Sequence, residues 1–205
     1  MDGIIFDVDG TLWDPTDKVA ASWTRAIKEN SDADIFIDGA RLRELFGKTM
    51  DVICDSIFPG FSREDKDRLA ALCYEYEHRA LEEEPCPLFD GVKETFEKLS
   101  EKTGLYIVSN CQSGYVEILL KTTGLSAFVK DFLCFGDTGV TKDKTIRILM
   151  ERNHLTDVVY VGDTQGDFDA CKAAGVPFIF AEYGFDDVPD ADRSISVISD
   201  LLELV

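Results

Sequence analysis

An α/β fold, with a mainly parallel sheet covered by helices on both faces and interrupted by an all-helical insert, is what this chain of 205 residues predicts. Three observations carry the prediction. Short apolar runs alternate with helical periodicity over most of the chain, and runs that are apolar throughout suit strands buried on both faces. Residues 15–87 break this rhythm and carry amphipathic helical patterns without a convincing strand. Acidic and other polar residues gather where the apolar runs end.

In chain order, "GIIFD" from Gly3 to Asp7 reads as the first strand. The insert follows, with one helix turning Val19, Trp23, Ala26 and Ile27 inward and another, from Ser62, turning Leu69, Leu72, Cys73, Tyr76 and Ala80 inward. "PCPLFDG", from Pro85 to Gly91, leads back to the core. The next helix places Val92, Phe96 and Leu99 on one face, with Gly104 as its expected C-cap, and "LYIVSN" (Leu105 to Asn110) forms the second strand. A helix from an expected N-cap at Ser113 to a stop at Gly124 precedes a weaker strand, Phe132 to Phe135. "DVVYVGD", "VPFIFA" and "SISVI" complete the sheet, separated by helices near residues 144–153 and 167–174. The expected organisation is therefore a three-layer core from residues 1–14 and 88–205, with the helical insert at 15–87.

Composition narrows the function. Hydrophobic residues at 45% and aromatics at 11% suit a chain that buries a sizeable core, and no stretch approaches the roughly 20 apolar residues that a membrane span needs. A strand pattern begins at once, with no room for a secretory leader, so the expectation is a soluble, cytoplasmic protein. The six cysteines form no C-x-x-C pair and sit mostly in apolar patterns, as buried reduced thiols do. A net charge of −19 argues against binding nucleic acid or an anionic membrane through a broad basic surface. An anionic substrate would need local attraction, from a metal or a few placed cations.

The segment "IIFDVDGTLW" delivers Asp7 and Asp9 to one strand end. It fails as a calcium loop, because its glycine comes two residues early and Lys18 stands where a bidentate glutamate belongs. An ordinary Asp-Gly turn remains open on this segment alone. In an open parallel sheet, however, ligands bind beyond the carboxyl ends of the strands. There the first strand brings Asp7 and Asp9, the second Ser109 and Asn110, and "YVGDTQGD" Asp163 and Asp167, while "TGVTKDK" offers Lys142 or Lys144. Singly, each lysine reads as solvated charge, Ser109 and Asn110 as strand terminators and "GDTQGD" as a turn into a helix. Jointly, converging carboxylates call for a hard divalent cation with oxygen ligands, which favours Mg²⁺. A lysine, a hydroxyl and backbone N–H groups supply what a phosphoryl group needs.

These residues carry a resemblance. "DVDGT", then "SN", then a lysine, then "GDTQGD" resembles the four motifs of the haloacid dehalogenase superfamily, and the insert resembles the helical cap of its phosphoglycolate phosphatase and β-phosphoglucomutase branch. The resemblance implies a Rossmann-like core and a phosphatase acting on a small phosphorylated metabolite, phosphoglycolate being the first guess; whether it is a monomer or small homo-oligomer the sequence leaves open. It implies Asp7 as nucleophile and Asp9 as general acid/base, with Mg²⁺ on Asp7, the Asp9 carbonyl and Asp163. Gly10, Thr11, Ser109, Asn110 and Lys142 would hold the phosphoryl group, and Asp167 would orient the lysine or a water.

Two departures from the family pattern matter. Asp143 follows Lys142 and a second lysine sits at 144, and Lys142 is preferred because Lys144 is expected to open the helix holding Ile146, Leu149 and Met150. Thr164 follows Asp163, so Asp167 must replace a second adjacent acid. In the insert, "FGKTMD" holds Gly47 and Lys48, either a specificity loop or an ordinary helix connection. A phosphomutase is the nearest rival, but neither His78 nor His154 stands out as a mutase residue, and each reads as a surface or helix-end histidine. A P-type transport ATPase has threonine where Asp9 stands and needs membrane spans. An idle binding protein on the same fold is disfavoured by the intact set Asp7, Asp9, Ser109, Lys142 and Asp163.

Overall fold

The computed structural model describes residues 1–204. Among them β1 (Gly3–Phe6) is followed by α1 (Thr16–Asn30), α2 (Gly39–Arg43), α3 (Met50–Ile57) and α4 (Arg63–Glu83). Then come α5 (Val92–Ser100), β2 (Gly104–Ser109), α6 (Tyr115–Thr123), β3 (Val129–Cys134), α7 (Phe135–Thr138) and α8 (Lys142–Arg152). The chain continues through β4 (Val158–Gly162), α9 (Gln165–Ala174), β5 (Phe178–Ala181), β6 (Ser194–Ile195) and α10 (Leu201–Leu204). No described helix is long and apolar enough to cross a membrane.

All six strands lie parallel in the order β3-β2-β1-β4-β5-β6. Every β1 residue is buried because alternate side chains enter different layers. Ile4 and Phe6 join Phe96, Leu99, Val116 and Leu119 on one face. Ile5 joins Tyr160, Ile146, Leu149 and Cys171 on the other. The order reverses between β1 and β4, so the loops leaving these two strands diverge around a crevice.

Helices α1 to α4 hold a third apolar cluster of their own, with Val19, Trp23, Ile27, Leu42, Ile53, Leu69 and Cys73 at its centre. The chain leaves and re-enters the α/β layers at adjacent points. Trp13 pairs with Leu88 in an isolated antiparallel bridge, and Phe89 N donates to the Leu12 carbonyl at 2.9 Å.

Several expectations shift by local chemistry. Gly104 opens β2 instead of capping α5, because its residue pairs with Gly3 in the β1 register while α5 ends at Ser100. Ser113 does not cap α6. Its hydroxyl donates to Asp137 at 2.7 Å, and Gly114, in the left-handed region, takes the cap position. The strand expected over Phe132 to Phe135 runs from Val129 to Cys134, and Phe135 opens α7. "SISVI" pairs only at Ser194 and Ile195, since the Asp200 carboxylate accepts from Ser196 N and Val197 N and turns the chain out of the sheet. On α4 the fully buried stripe is Leu69, Cys73, Glu77 and Leu81, with Leu72, Tyr76 and Ala80 only half-buried. All six cysteines are buried and unpaired with one another.

Phe96 from α5 packs its ring 4.6 Å from that of Phe6 at the base of the crevice strand. Phe96→Ala should lower the unfolding free energy by about 3–5 kcal/mol in urea titrations, the cost of lost burial plus a cavity.

Candidate active site

At the carboxyl end of β1 the chain turns sharply. Gly10 holds φ +83, and a Cβ there would stand 2.0 Å from Asp163 Oδ2, so only glycine lets the two loops meet. Thr11 Oγ1 donates to Asp163 Oδ1 at 3.0 Å and Phe185 N donates to Oδ2 at 2.8 Å. Gly10 and Thr11 thus abut Asp163, and their backbone N–H groups are taken by the Trp13 and Val8 carbonyls.

Of the two candidate lysines, Lys142 enters the site and Lys144 stays on the surface. Lys142 is the first residue of α8, and its ammonium donates to Asp7 Oδ1 at 2.8 Å and to Asp167 Oδ1 at 2.5 Å. All three side chains are buried. Asp167 is held in turn by the capping box of α9, where its Oδ2 accepts from Thr164 N and Oγ1. Tyr160 Oη, which donates to the Val108 carbonyl at 2.8 Å, lies 3.3 Å from Asp167 Oδ1.

Asp7, Asp163 and Asp167 each bring one oxygen into a group spanning no more than 4.8 Å. One ammonium cannot neutralise three buried carboxylates. Burial and the like charges of Asp7 and Asp167 push Asp163 well above the usual carboxylate range. Burial outweighs Lys142 at Asp7 and raises that carboxyl to about 7. An all-oxygen donor set with excess negative charge fits a hard divalent cation.

Asp9 has a different setting. Tyr115 Oη and Trp13 Nε1 donate to the same oxygen, Oδ1, at 2.6 and 2.9 Å, leaving Oδ2 for other partners. Desolvation raises this carboxyl to about 6 despite those donors. Ser109 is buried at the end of β2. Asn110 faces the insert, donating Nδ2 to the Gly47 carbonyl at 2.7 Å.

A narrow cleft joins these groups to the insert and is lined by Asp7, Asp9, Ser109 and Tyr115 on one side. Trp23, Phe46, Met50, Ile53 and Glu77 line the other, so the Gly47 and Lys48 segment does reach the site. His78 is half-buried in the middle of α4, 3.2 Å from the Gln112 amide, while His154 follows the end of α8 as expected.

Sequence reasoning missed Glu77, Gln112, Tyr115 and Trp13. Glu77 is buried at the cleft wall, accepting from Trp23 Nε1 at 2.7 Å and Gln112 Nε2 at 3.1 Å. Burial raises it to about 8. Its signal was available: Leu69, Cys73 and Leu81 form a stripe at four-residue spacing, and Glu77 occupies the vacant place in it.

Comparison with known proteins agrees with this architecture. Residues 4–181 match the model of the haloacid dehalogenase-like hydrolase family, and the chain belongs to that family. A phosphoglycolate phosphatase of Yersinia pestis is 26% identical over 192 residues, covering 89% of this chain and 82% of the relative. One of Xanthomonas campestris is 28% identical over 190 residues, covering 89% and 83%. Among solved structures, a predicted phosphoglycolate phosphatase from Haemophilus somnus superposes with a TM-score of 0.82 at 21% identity, covering 100% of this chain and 97% of its own. A Rhodobacter sphaeroides protein in complex with xylulose-(1,5)-bisphosphate gives 0.83 at 18% identity, covering 98% and 96%. These two likenesses concern the fold. Family and curated relatives together make the chain a phosphoric monoester hydrolase.

Glu77 supplies a test of the buried electrostatics. It faces the Trp23 indole and the Gln112 amide, with Asp9 and Tyr115 across the cleft and Cys73 and Tyr74 beside it on α4. The fold prefers the neutral carboxyl, so its contribution is fully present below the unfolded value of 4.5 and is lost as pH rises through about 8. Glu77→Gln removes the titration. Urea unfolding at pH 5 and pH 8.5 should show the variant gaining on the native protein as pH rises, by an amount on the order of a few kcal/mol.

Proposed function

We propose that the protein is a Mg²⁺-dependent cytoplasmic phosphatase that hydrolyses a small phosphate monoester through an aspartyl phosphate on Asp7. The observation that carries this reading is the ion cluster in which Lys142 lies between Asp7 and Asp167 with Asp163 beside them. On this reading residues 1–14 and 88–205 form the catalytic core, and 15–87 form a cap that closes the cleft. Phosphoglycolate, by which the curated relatives are named, is the first substrate to try.

A carboxylate attacking a phosphate monoester meets like charge, so cations must stand at the phosphoryl oxygens before covalent catalysis can begin. Lys142 would supply one. The Asp7 and Asp163 carboxylates and the Asp9 carbonyl would hold Mg²⁺, with Asp167 in support, and the bound ion would supply Lewis-acid charge at the phosphoryl group. Ser109 would donate to a phosphoryl oxygen, with Gly10, Thr11 and Asn110 shaping the walls.

In the first half-reaction an Asp7 oxygen bonds to phosphorus, the ester P–O bond breaks, and Asp9 protonates the departing alkoxide. In the second, water attacks phosphorus, Asp9 takes its proton, and the bond to Asp7 breaks to release phosphate. Asp9 suits this alternation. Its Oδ1 is fixed by Tyr115 and Trp13, so the proton resides on Oδ2, and a value near 6 lets it serve as acid and then base near neutral pH.

Asp7→Asn should be inactive and form no acyl phosphate. Asp9→Asn should keep the nucleophile and lose roughly a hundred- to ten-thousand-fold in rate. With an aryl phosphate, whose leaving group needs no proton, Asp9→Asn should accumulate phosphate on Asp7, visible by mass spectrometry of quenched reactions. Phosphate on a serine or histidine would overturn the mechanism. Calorimetry should detect Mg²⁺ binding that Asp163→Ala abolishes, and equal binding by that variant would place the ion elsewhere.

A further inference from the structure

The two ends of the cleft differ in chemistry. At the end toward β1 stand the groups that suit a phosphoryl dianion. At the end formed by the insert, the buried polar groups are the Glu77 carboxyl, the Gln112 amide and the Trp23 indole N–H, set among Met50, Ile53 and Phe46. Lys48 is the one lining cation at that end among the described residues, and it is exposed, donating to the Glu44 carbonyl at 3.0 Å.

We infer that Glu77 determines specificity by hydrogen-bonding a hydroxyl of the leaving group, so that the enzyme selects phosphate esters of small polyols or sugars over esters whose leaving group carries a carboxylate or second phosphate. This inference rests on the phosphatase reading and narrows its substrate class away from phosphoglycolate.

Three features support it. Each Glu77 oxygen accepts one bond, Oε2 from Trp23 and Oε1 from Gln112, so the carboxyl is fixed while hydrogen-bonding capacity remains on both oxygens. A hydroxyl both donates and accepts, and it pairs with a carboxyl in either protonation state. An anionic group would be desolvated beside Glu77 with neutral donors alone, and burying a charge without a counter-ion is costly. The Trp23 ring and the aliphatic side chains of Met50 and Ile53 suit the C–H faces of a short hydroxylated carbon chain. The same logic disfavours a bisphosphorylated intermediate, which a mutase would need to accommodate in both orientations.

The test is steady-state kinetics of the full chain with Mg²⁺ on sn-glycerol 3-phosphate, erythritol 4-phosphate, 2-phosphoglycolate and para-nitrophenyl phosphate. The native enzyme should show kcat/KM at least tenfold higher for the better polyol phosphate than for 2-phosphoglycolate. Glu77→Leu should reduce the ratio of polyol phosphate to aryl phosphate kcat/KM by about tenfold to a hundredfold, the loss of one buried hydrogen bond. Glu77→Gln, which keeps an acceptor and a donor, should restore most of that ratio. Lys48→Met should leave the preference for the polyol phosphate in place.

A native preference for 2-phosphoglycolate, abolished in Lys48→Met, would overturn the inference while leaving the phosphatase reading intact. So would an unchanged ratio in a folded Glu77→Leu. If Glu77→Leu fails to fold, the native panel and Lys48→Met still decide. Hydrolysis of none of the four esters, aryl phosphate included, would remove the phosphatase reading and the inference with it.

Discussion

The buried ammonium of Lys142 is the interaction on which the site depends. It stands at the first turn of α8, where the helix dipole disfavours a cation, and it is drawn inward by Asp7 at the end of β1 and by Asp167 in the first turn of α9. Desolvating three ionised groups costs about as much as their attraction returns, so the cluster is a poor device for stability alone. Its geometry makes sense as a site held ready for a further anion and cation. The surrounding fold is arranged to keep it so: Gly10 lets Asp163 approach, the α9 capping box fixes Asp167, and the Tyr160 ring lies 5.8 Å from the ammonium.

Two carboxyl groups one residue apart acquire different settings from that arrangement. Asp7, the last residue before the turn, faces a lysine and two acids. Asp9 accepts from a phenol and an indole that donate without adding charge. The two carboxyls thus differ in their partners, an ammonium ion pair for Asp7 and neutral donors for Asp9, and the mechanism proposed above assigns them different parts on that difference.

The α/β order, the run of helices between β1 and α5 and the convergence of the acidic and lysine side chains were legible because they follow from rules of position. Strand ends of a parallel sheet must converge, so Asp7, Asp163, Ser109 and a lysine could be collected without coordinates. Lys142 and not Lys144 joins the acids, although the reason given from the sequence fails, since Lys142 itself opens α8. What escaped were residues whose side chains obey tertiary partners. Glu77 reads as a solvated acid in an acidic helix, and only its register with Leu69, Cys73 and Leu81 marks it as inward. Tyr115 reads as one more apolar member of α6 until Asp9 is seen 2.6 Å away. Ser113, Gly104 and "SISVI" misled because Asp137, the Gly3 register and Asp200 override local propensity.

The insert meets the core through varied contacts. Asn110 holds the Gly47 carbonyl, and the Arg43 guanidinium stacks 4.9 Å from the Phe185 ring while pairing with Asp14. Phe185 N in turn donates to Asp163, so a residue that contacts the insert also braces the acidic cluster. One short segment around Phe185 thereby joins the insert to the acidic cluster. On the proposed reading, the groups that would hold the phosphoryl end come from the ends of β1 and β2 and the first turn of α8, whereas Trp23, Met50, Ile53 and Glu77 come from the insert. On this division, altering the insert changes which ester is chosen while the groups that break the phosphorus–oxygen bond stay where the sheet puts them.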